Sequence, residues 1–244
     1  MTITTASELA ASVSADGPWL LPAPAAIGVP ISGSRQRFPV HRIYCIGRNY
    51  EAHAREMAAT VALEAPVFFM KPADALVTDG ADVAYPQATE DLHHEVELVL
   101  ALGGGGRDLN PAAAREQIIA YGLGLDLTRR DLQAAAKSRG LPWDVAKGFD
   151  QSAPISALRL AKELGHPEQG EISLSVNGQI RQRSDIADMV LPAGAILAAL
   201  SRLFLLMPGD LVFTGTPAGV APLLRGDRFE ANFPGIEPLT GRIV

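Results

Sequence analysis

One cysteine, Cys45, stands in a chain of 244 residues, which excludes an intramolecular disulfide framework and leads us to expect a reducing, cytoplasmic setting. Positive charge is also in deficit: 21 Lys and Arg face 27 Asp and Glu, a formal charge of −6, with a pI near 5.4. That balance argues against nucleic acid or an anionic membrane as a partner. Residues 1–30 hold no Lys or Arg and so lack the charged start of a secretory signal. No apolar run is long enough to span a bilayer; the longest, 193–206, is broken by Ser201 and Arg202. No repeat of fixed period is present.

What remains is a chain able to bury a substantial core, most simply as one domain from 41 to 244 with an N-terminal arm or small appendage over 1–40. Within that arm, 16–34 is rich in Pro, Gly and Ala and reads as extended. Apolar patterning predicts strands at 42–46, 66–70, 95–102, 119–128, 171–177 and 210–214. Asn177-Gly178 is a hairpin turn that pairs the fifth strand with one at 179–183. Helices are predicted at 49–57, 111–117, 129–139 and 193–204. The order of elements describes a β-rich α+β fold.

Two acidic segments carry the chemistry. Glu95 and Glu97 lie two apart in an apolar run, so on a strand they share a face while Val96, Leu98 and Leu100 take the other. Adjacent like charges repel unless a cation lies between them; the alternative is a solvated strand face. Asp126 is a lone acid in the glycine-rich run after Gly122, where an unpaired buried carboxylate would be costly. Together the three suit an all-oxygen site for one Mg²⁺ or Mn²⁺, with Ca²⁺ also compatible. His93 falls on the same predicted face, as a ligand, a neighbour of one, or a structural residue. A second segment places His53 and Glu56 three apart on a helix, where they can hydrogen-bond and leave one imidazole nitrogen as a base. An exposed helix laced with surface ion pairs is the competing reading. Lys147, between Pro142-Trp143 and Gly148-Phe149, is in a poor setting for an ordinary solvated lysine and reads either as an active-site cation or as a lysine snorkelling from apolar surroundings. Lys71 reads as a structural lysine or one that supports the site.

In order along the chain stand GRNYEAHAREM at 47–57, FFMKPADAL at 68–76, DLHHEVEL at 91–98, GLDLTRRDLQ at 124–133, LPWDVAKGFDQSAPIS at 141–156, VNGQIRQ at 176–182 and PGDLVFTGTPAGV at 208–220. This series resembles the fumarylacetoacetate hydrolase family, in particular its acylpyruvate hydrolases. The resemblance implies a mixed-sheet β-roll, a homodimer, metal ligands at Glu95, Glu97 and Asp126, and a water-activating pair at His53 and Glu56 on a lid. It also implies an active-site lysine at Lys147 and substrate contacts near Arg130, Gln133 and Thr214-Gly215-Thr216. The segment 183–190 departs from the family's pattern and leaves the rim of the pocket open.

The activity this implies is metal-dependent hydrolysis of the carbon–carbon bond of an acylpyruvate. The combination of GRNYEAHAREM, MKPADAL and DLTRRDLQ is closest to fumarylpyruvate hydrolases of gentisate degradation, which yield fumarate and pyruvate. Oxaloacetate decarboxylation or tautomerisation, or isomerisation of a related oxo-diacid, uses the same metal chemistry and is the alternative. A non-catalytic binding protein on this fold is a further possibility, but the proposed positions are intact. The distal carboxylate of fumarylpyruvate calls for another cation, with Arg130, Arg48 and Arg183 as candidates.

Overall fold

The computed structural model describes residues 20–56 and 66–244. In chain order its strands are β1 (Gly28–Pro30), β2 (Arg37–Pro39), β3 (Ile43–Gly47), β4 (Val67–Lys71), β5 (Leu76–Val77), β6 (Leu92–His93), β7 (Val96–Leu102) and β8 (Ile118–Leu125). There follow β9 (Thr128–Arg129), β10 (Ala153–Pro154), β11 (Arg159–Leu160), β12 (Glu171–Val176), β13 (Gln179–Asp185), β14 (Leu211–Phe213), β15 (Arg228–Phe233) and β16 (Ile236–Arg242). The helices are short: α1 (Glu51–Glu56), α2 (Pro111–Arg115), α3 (Arg130–Ser138), α4 (Asp144–Lys147), α5 (Ala161–Leu164) and α6 (Ala193–Leu203).

Two sheets define the architecture. The larger runs β11-β8-β7-β14-β3-β4, with β14 parallel to β3 and its other neighbours antiparallel. The smaller, wholly antiparallel, runs β13-β12-β15-β16. Side chains alternate along β7, so Val96, Leu98, Leu100 and Leu102 enter the main core with Leu123, Leu125, Ile172, Leu174, Phe229 and Ala231. Val99 and Ala101 point the other way, into a second cluster with Ile43, Cys45, Leu211 and Phe213. Val29 and Phe38, from the hairpin β1–β2, are buried in that second cluster. Glu97 shares the face of Val99 and Ala101, at the end of the strand where the second cluster gives way to a cavity.

The predicted elements recur with shifts of a residue or a few. Three differences matter. Strand 119–128 stops at Leu125 and resumes only at β9, because Asp126 N–H donates to Glu95 O (2.9 Å) and Leu127 N–H to Ser152 O (3.0 Å) outside the main ladder. The hairpin β15–β16 was not expected, although Phe229, Ala231 and Phe233 alternate inward across it. Of the helix over 49–57, six residues are seen, and Met57 lies outside the described residues. The Asn177-Gly178 turn forms as read, with φ of 52° and 76°. No helix among the described residues is long and apolar enough to cross a membrane.

Candidate active site

The three acids meet. Glu95 precedes β7, Glu97 lies on it, and Asp126 follows β8, which pairs with β7 so that Glu97 is opposite Gly124. That glycine is required: a Cβ there would lie 2.4 Å from Phe213 Cε1 and 2.9 Å from Val99 Cγ2. The carboxylates are 5%, 1% and 1% exposed, and one oxygen from each falls within a 4.8 Å cluster.

Whether a cation fits is decided by the partners these oxygens already have. Lys147 Nζ donates to Glu95 (2.7 Å), Asp126 (2.5 Å) and Thr128 Oγ1 (2.6 Å). Arg130 reaches Glu95 at 2.5 Å and Gln133 at 2.6 Å. Lys71 Nζ lies 2.9 Å from Asp126 Oδ1, yet that oxygen accepts no well-aligned hydrogen bond. Glu97 has no cationic side chain in contact among the described residues and accepts only the Gly215 N–H, at 2.7 Å. Burial pushes the Glu97 carboxyl well above its ordinary range, and Asp126 and Glu95 add to the shift. Burial opposes ionisation of Glu95 as well, but Lys147, Arg130 and His53 outweigh it and hold that carboxyl well below the usual range. Lys147 is itself raised, because Asp126 and Glu95 overcome the cost of its burial. A buried triad with one carboxylate lacking a counter-charge and one oxygen lacking a hydrogen bond is a site suited to a divalent cation.

The triad opens into a cavity also lined by Arg48, His53, Arg130, Gln133, Lys137, Trp143, Lys147 and Thr216. His53, buried on α1, faces it; Nδ1 lies 3.3 Å from Glu56, which also accepts Gly219 N–H at 3.2 Å. Asn49 anchors the start of this helix, bonding Leu191 and Thr214 O. Gly215, with φ of 92°, brings the 214–216 loop so close that a Cβ would sit 2.7 Å from Asn49 Cβ. Thr216 lines the cavity, whereas Thr214 is fully buried and donates to Leu98 O at 2.8 Å.

Besides Thr214, two candidates are placed elsewhere. His93 bonds Asp91 at 2.9 Å and is not among the clustered ligands, because β6 and β7 are separate strands and the alternation that aligned it with Glu95 is broken at His94. Arg183 on β13 pairs with Glu171 at 3.4 Å, in a half-exposed pair away from the cavity wall. Among the cavity residues that escaped sequence reasoning are Lys137, whose ammonium lies 5.1 Å from the Trp143 ring centroid, and Trp143 itself. Gln182 was missed as well. Buried beneath the site, it bonds His94 (2.9 Å), Val96 N–H (3.0 Å), Thr216 (2.8 Å) and Pro217 O (2.8 Å).

The family profile "Fumarylacetoacetate (FAA) hydrolase C-terminal" matches residues 42–244. The chain belongs to that family. It is 41% identical over 213 residues to an oxaloacetate tautomerase of Escherichia coli, covering 87% of this chain and 96% of that one. A mitochondrial oxaloacetate tautomerase of Homo sapiens is 38% identical over 201 residues, 82% of this chain and 90% of its own. Among solved structures, a fumarylpyruvate hydrolase from Pseudomonas aeruginosa in complex with Mn²⁺ and pyruvate superposes with a TM-score of 0.91 at 47% identity, covering 93% of this chain and 99% of that one.

Proposed function

We propose that this protein is a metal-dependent hydrolase of acylpyruvates, with fumarylpyruvate as substrate and fumarate and pyruvate as products. The observation that carries the reading is the His53–Glu56 pair in the wall of the cavity that holds the triad. Hydrolysis needs an activated water, which decarboxylation of a 2-oxo acid does not. Similarity to the Pseudomonas fumarylpyruvate hydrolase supports the same choice.

Glu95, Glu97 and Asp126 are the residues that would hold the cation, and a divalent ion there supplies Lewis-acid polarisation of a chelating 2-oxo acid. The protein's own groups do the rest. The Glu56 carboxylate accepts from Nδ1–H of His53, which leaves Nε2 as the base. Nε2 takes a proton from water as the water oxygen bonds to the C4 carbonyl carbon. The C3–C4 bond then breaks, its electron pair leaves on the pyruvate half as an enolate, and the proton held by His53 goes to C3. Water's OH thus ends in the fumarate carboxyl and its other hydrogen in the methyl group of pyruvate. Lys147 keeps a positive charge beside the developing enolate. Arg130, Gln133 and Thr216 orient the pyruvoyl end from the cavity wall.

The oxaloacetate tautomerases at 41% and 38% identity favour a second reading, keto–enol interconversion, which moves protons but breaks no carbon–carbon bond. The deciding assay follows pyruvate release from fumarylpyruvate by the Mn²⁺-loaded protein. His53→Ala is expected to lower that rate by about 10²–10⁴-fold with Mn²⁺ affinity retained. A parent protein that tautomerises oxaloacetate but releases no pyruvate from acylpyruvates would replace the first reading with the second.

A further inference from the structure

The cations around the cavity fall into two groups. Lys71, Lys147 and Arg130 are committed to Glu95 and Asp126. Arg48 and Lys137 line the same cavity, yet among the described residues neither has a carboxylate within ion-pair distance. Both are only partly buried, whereas the triad is almost fully enclosed, so they mark the solvent end of a cavity whose other end is the metal-suited site.

Lys137 is not simply a solvated lysine on a helix. Its ammonium is held 5.1 Å from the Trp143 ring centroid, and Trp143 in turn lies against Phe69, with ring centroids 6.2 Å apart. Burial, then the like charges of Arg130 and Arg48, hold its pKa below the ordinary lysine range. Arg48 adopts φ of 63°, a left-handed conformation that costs a non-glycine residue energy and fixes the direction in which the chain enters α1. Two partly buried cations thus share one wall with, among the described residues, no carboxylate paired to either. Such an arrangement is unfavourable alone and is relieved by an anionic ligand.

We propose that Arg48 and Lys137 form a second anion subsite, which takes the distal carboxylate of a 2-oxo dicarboxylate whose oxo-acid end sits at the triad. The inference rests on the 2-oxo-acid reading given above and deepens it by naming the residues that would hold the far end of the substrate. Arg48 offers a planar fork for a carboxylate, and Lys137 a point charge beside an aromatic face. The spacing of the two ends also selects for length. Oxaloacetate carries its second carboxylate two carbons beyond the 2-oxo carbon and fumarylpyruvate five beyond, so a subsite at the solvent end favours the longer chain.

The test uses 2-oxoheptanedioate and 2-oxoheptanoate, which are equal in length, lack the 4-oxo group needed for cleavage, and differ only in the distal carboxylate. Calorimetric titration of the Mn²⁺-loaded enzyme reads binding without turnover. The dicarboxylate is expected to bind at least tenfold more tightly, within the roughly 10–150-fold range of a charge-assisted hydrogen bond. Lys137→Gln and Arg48→Gln should each shrink that preference, and the double variant should abolish it, whereas Lys137→Arg should retain it. Thermal unfolding of each variant establishes that it is folded. Equal affinities in the parent, or a preference that survives in the folded double variant, would overturn the subsite. Pyruvate separates the two levels of failure: if it too does not bind, the 2-oxo-acid reading falls and the subsite with it. A protein that cleaves no acylpyruvate but shows a preference dependent on Lys137 keeps the subsite and loses only the hydrolase reading.

Discussion

Replacing Glu97 with glutamine should make the metal-free protein more stable and, at the same time, deaf to metal. Glu97 is 1% exposed, touches no cationic side chain among the described residues, and faces Asp126 and Glu95. Its carboxyl titrates well above the ordinary value of 4.5, so from that pH up to its raised value the native state holds more protons than the unfolded chain. Stability therefore falls as pH rises through that window, and the penalty is present once the group ionises. Glutamine removes it while its amide oxygen still accepts the Gly215 N–H, bonded at 2.7 Å in the parent, and its NH₂ meets two carboxylates that can accept. Relief of this kind at a functional position is worth about 0.5–2 kcal/mol. In a domain of this size 1 kcal/mol moves Tm by about 2–4 °C, so a rise of a few degrees is expected. Mn²⁺ at about 100 times its Kd should add about 2.7 kcal/mol to the parent. The variant, short of one charged ligand, should lose more than the roughly 10–100-fold in affinity that outer-shell changes cost. Thermal unfolding with EDTA and with Mn²⁺, repeated across pH 5 to 8, measures all of this. A metal-free variant less stable than the parent, or one that Mn²⁺ stabilises as strongly, would refute the reasoning.

Gln182→Leu leaves the Val96 N–H and His94 Nδ1 without their shared acceptor, at about 1–3 kcal/mol each. Chemical denaturation should therefore show a loss of about 2–6 kcal/mol, and a loss below 1 kcal/mol would mean the bonds contribute little. Gly124→Ala drives a methyl group to 2.4 Å from Phe213, an overpacking worth about 1–3 kcal/mol. Since Gly124 is in register with Glu97, Mn²⁺ affinity should fall with the urea midpoint, and an unchanged affinity would show that the strand shifts without moving its carboxylate.

How much of this molecule could be read from its sequence depended on what burial costs each residue. A carboxylate inside an apolar run has few inexpensive fates, so Glu95, Glu97 and Asp126 announced themselves as a cluster before any coordinate did. Lys147 was legible for the same reason. The Asn177-Gly178 turn located β12 and β13, and a continuous apolar run located β7, which is buried on both faces. Period-two alternation misplaced His93, since it carries across residues only while the strand is continuous, and the His94 N–H leaves the ladder to bond Ala221 O. The hairpin β15–β16 had its signal in Phe229, Ala231 and Phe233, whereas the two-residue strands β5, β6, β9, β10 and β11 are too short to carry a period. Lys137 was invisible for the opposite reason to Asp126. A lysine among alanines on a helix ordinarily rests in solvent at no cost, and only the turn at 139–143, which folds Trp143 back over it, converts it into a partly desolvated charge. Gln182 had no local signal at all, because its four partners come from the 94–96 segment and the 214–217 loop, which meet it only once the smaller sheet is packed on the larger. Residues that are costly to bury can be read locally; those whose cost arises from tertiary neighbours, as with the Arg48–Lys137 pair, have to be read from the assembled cavity.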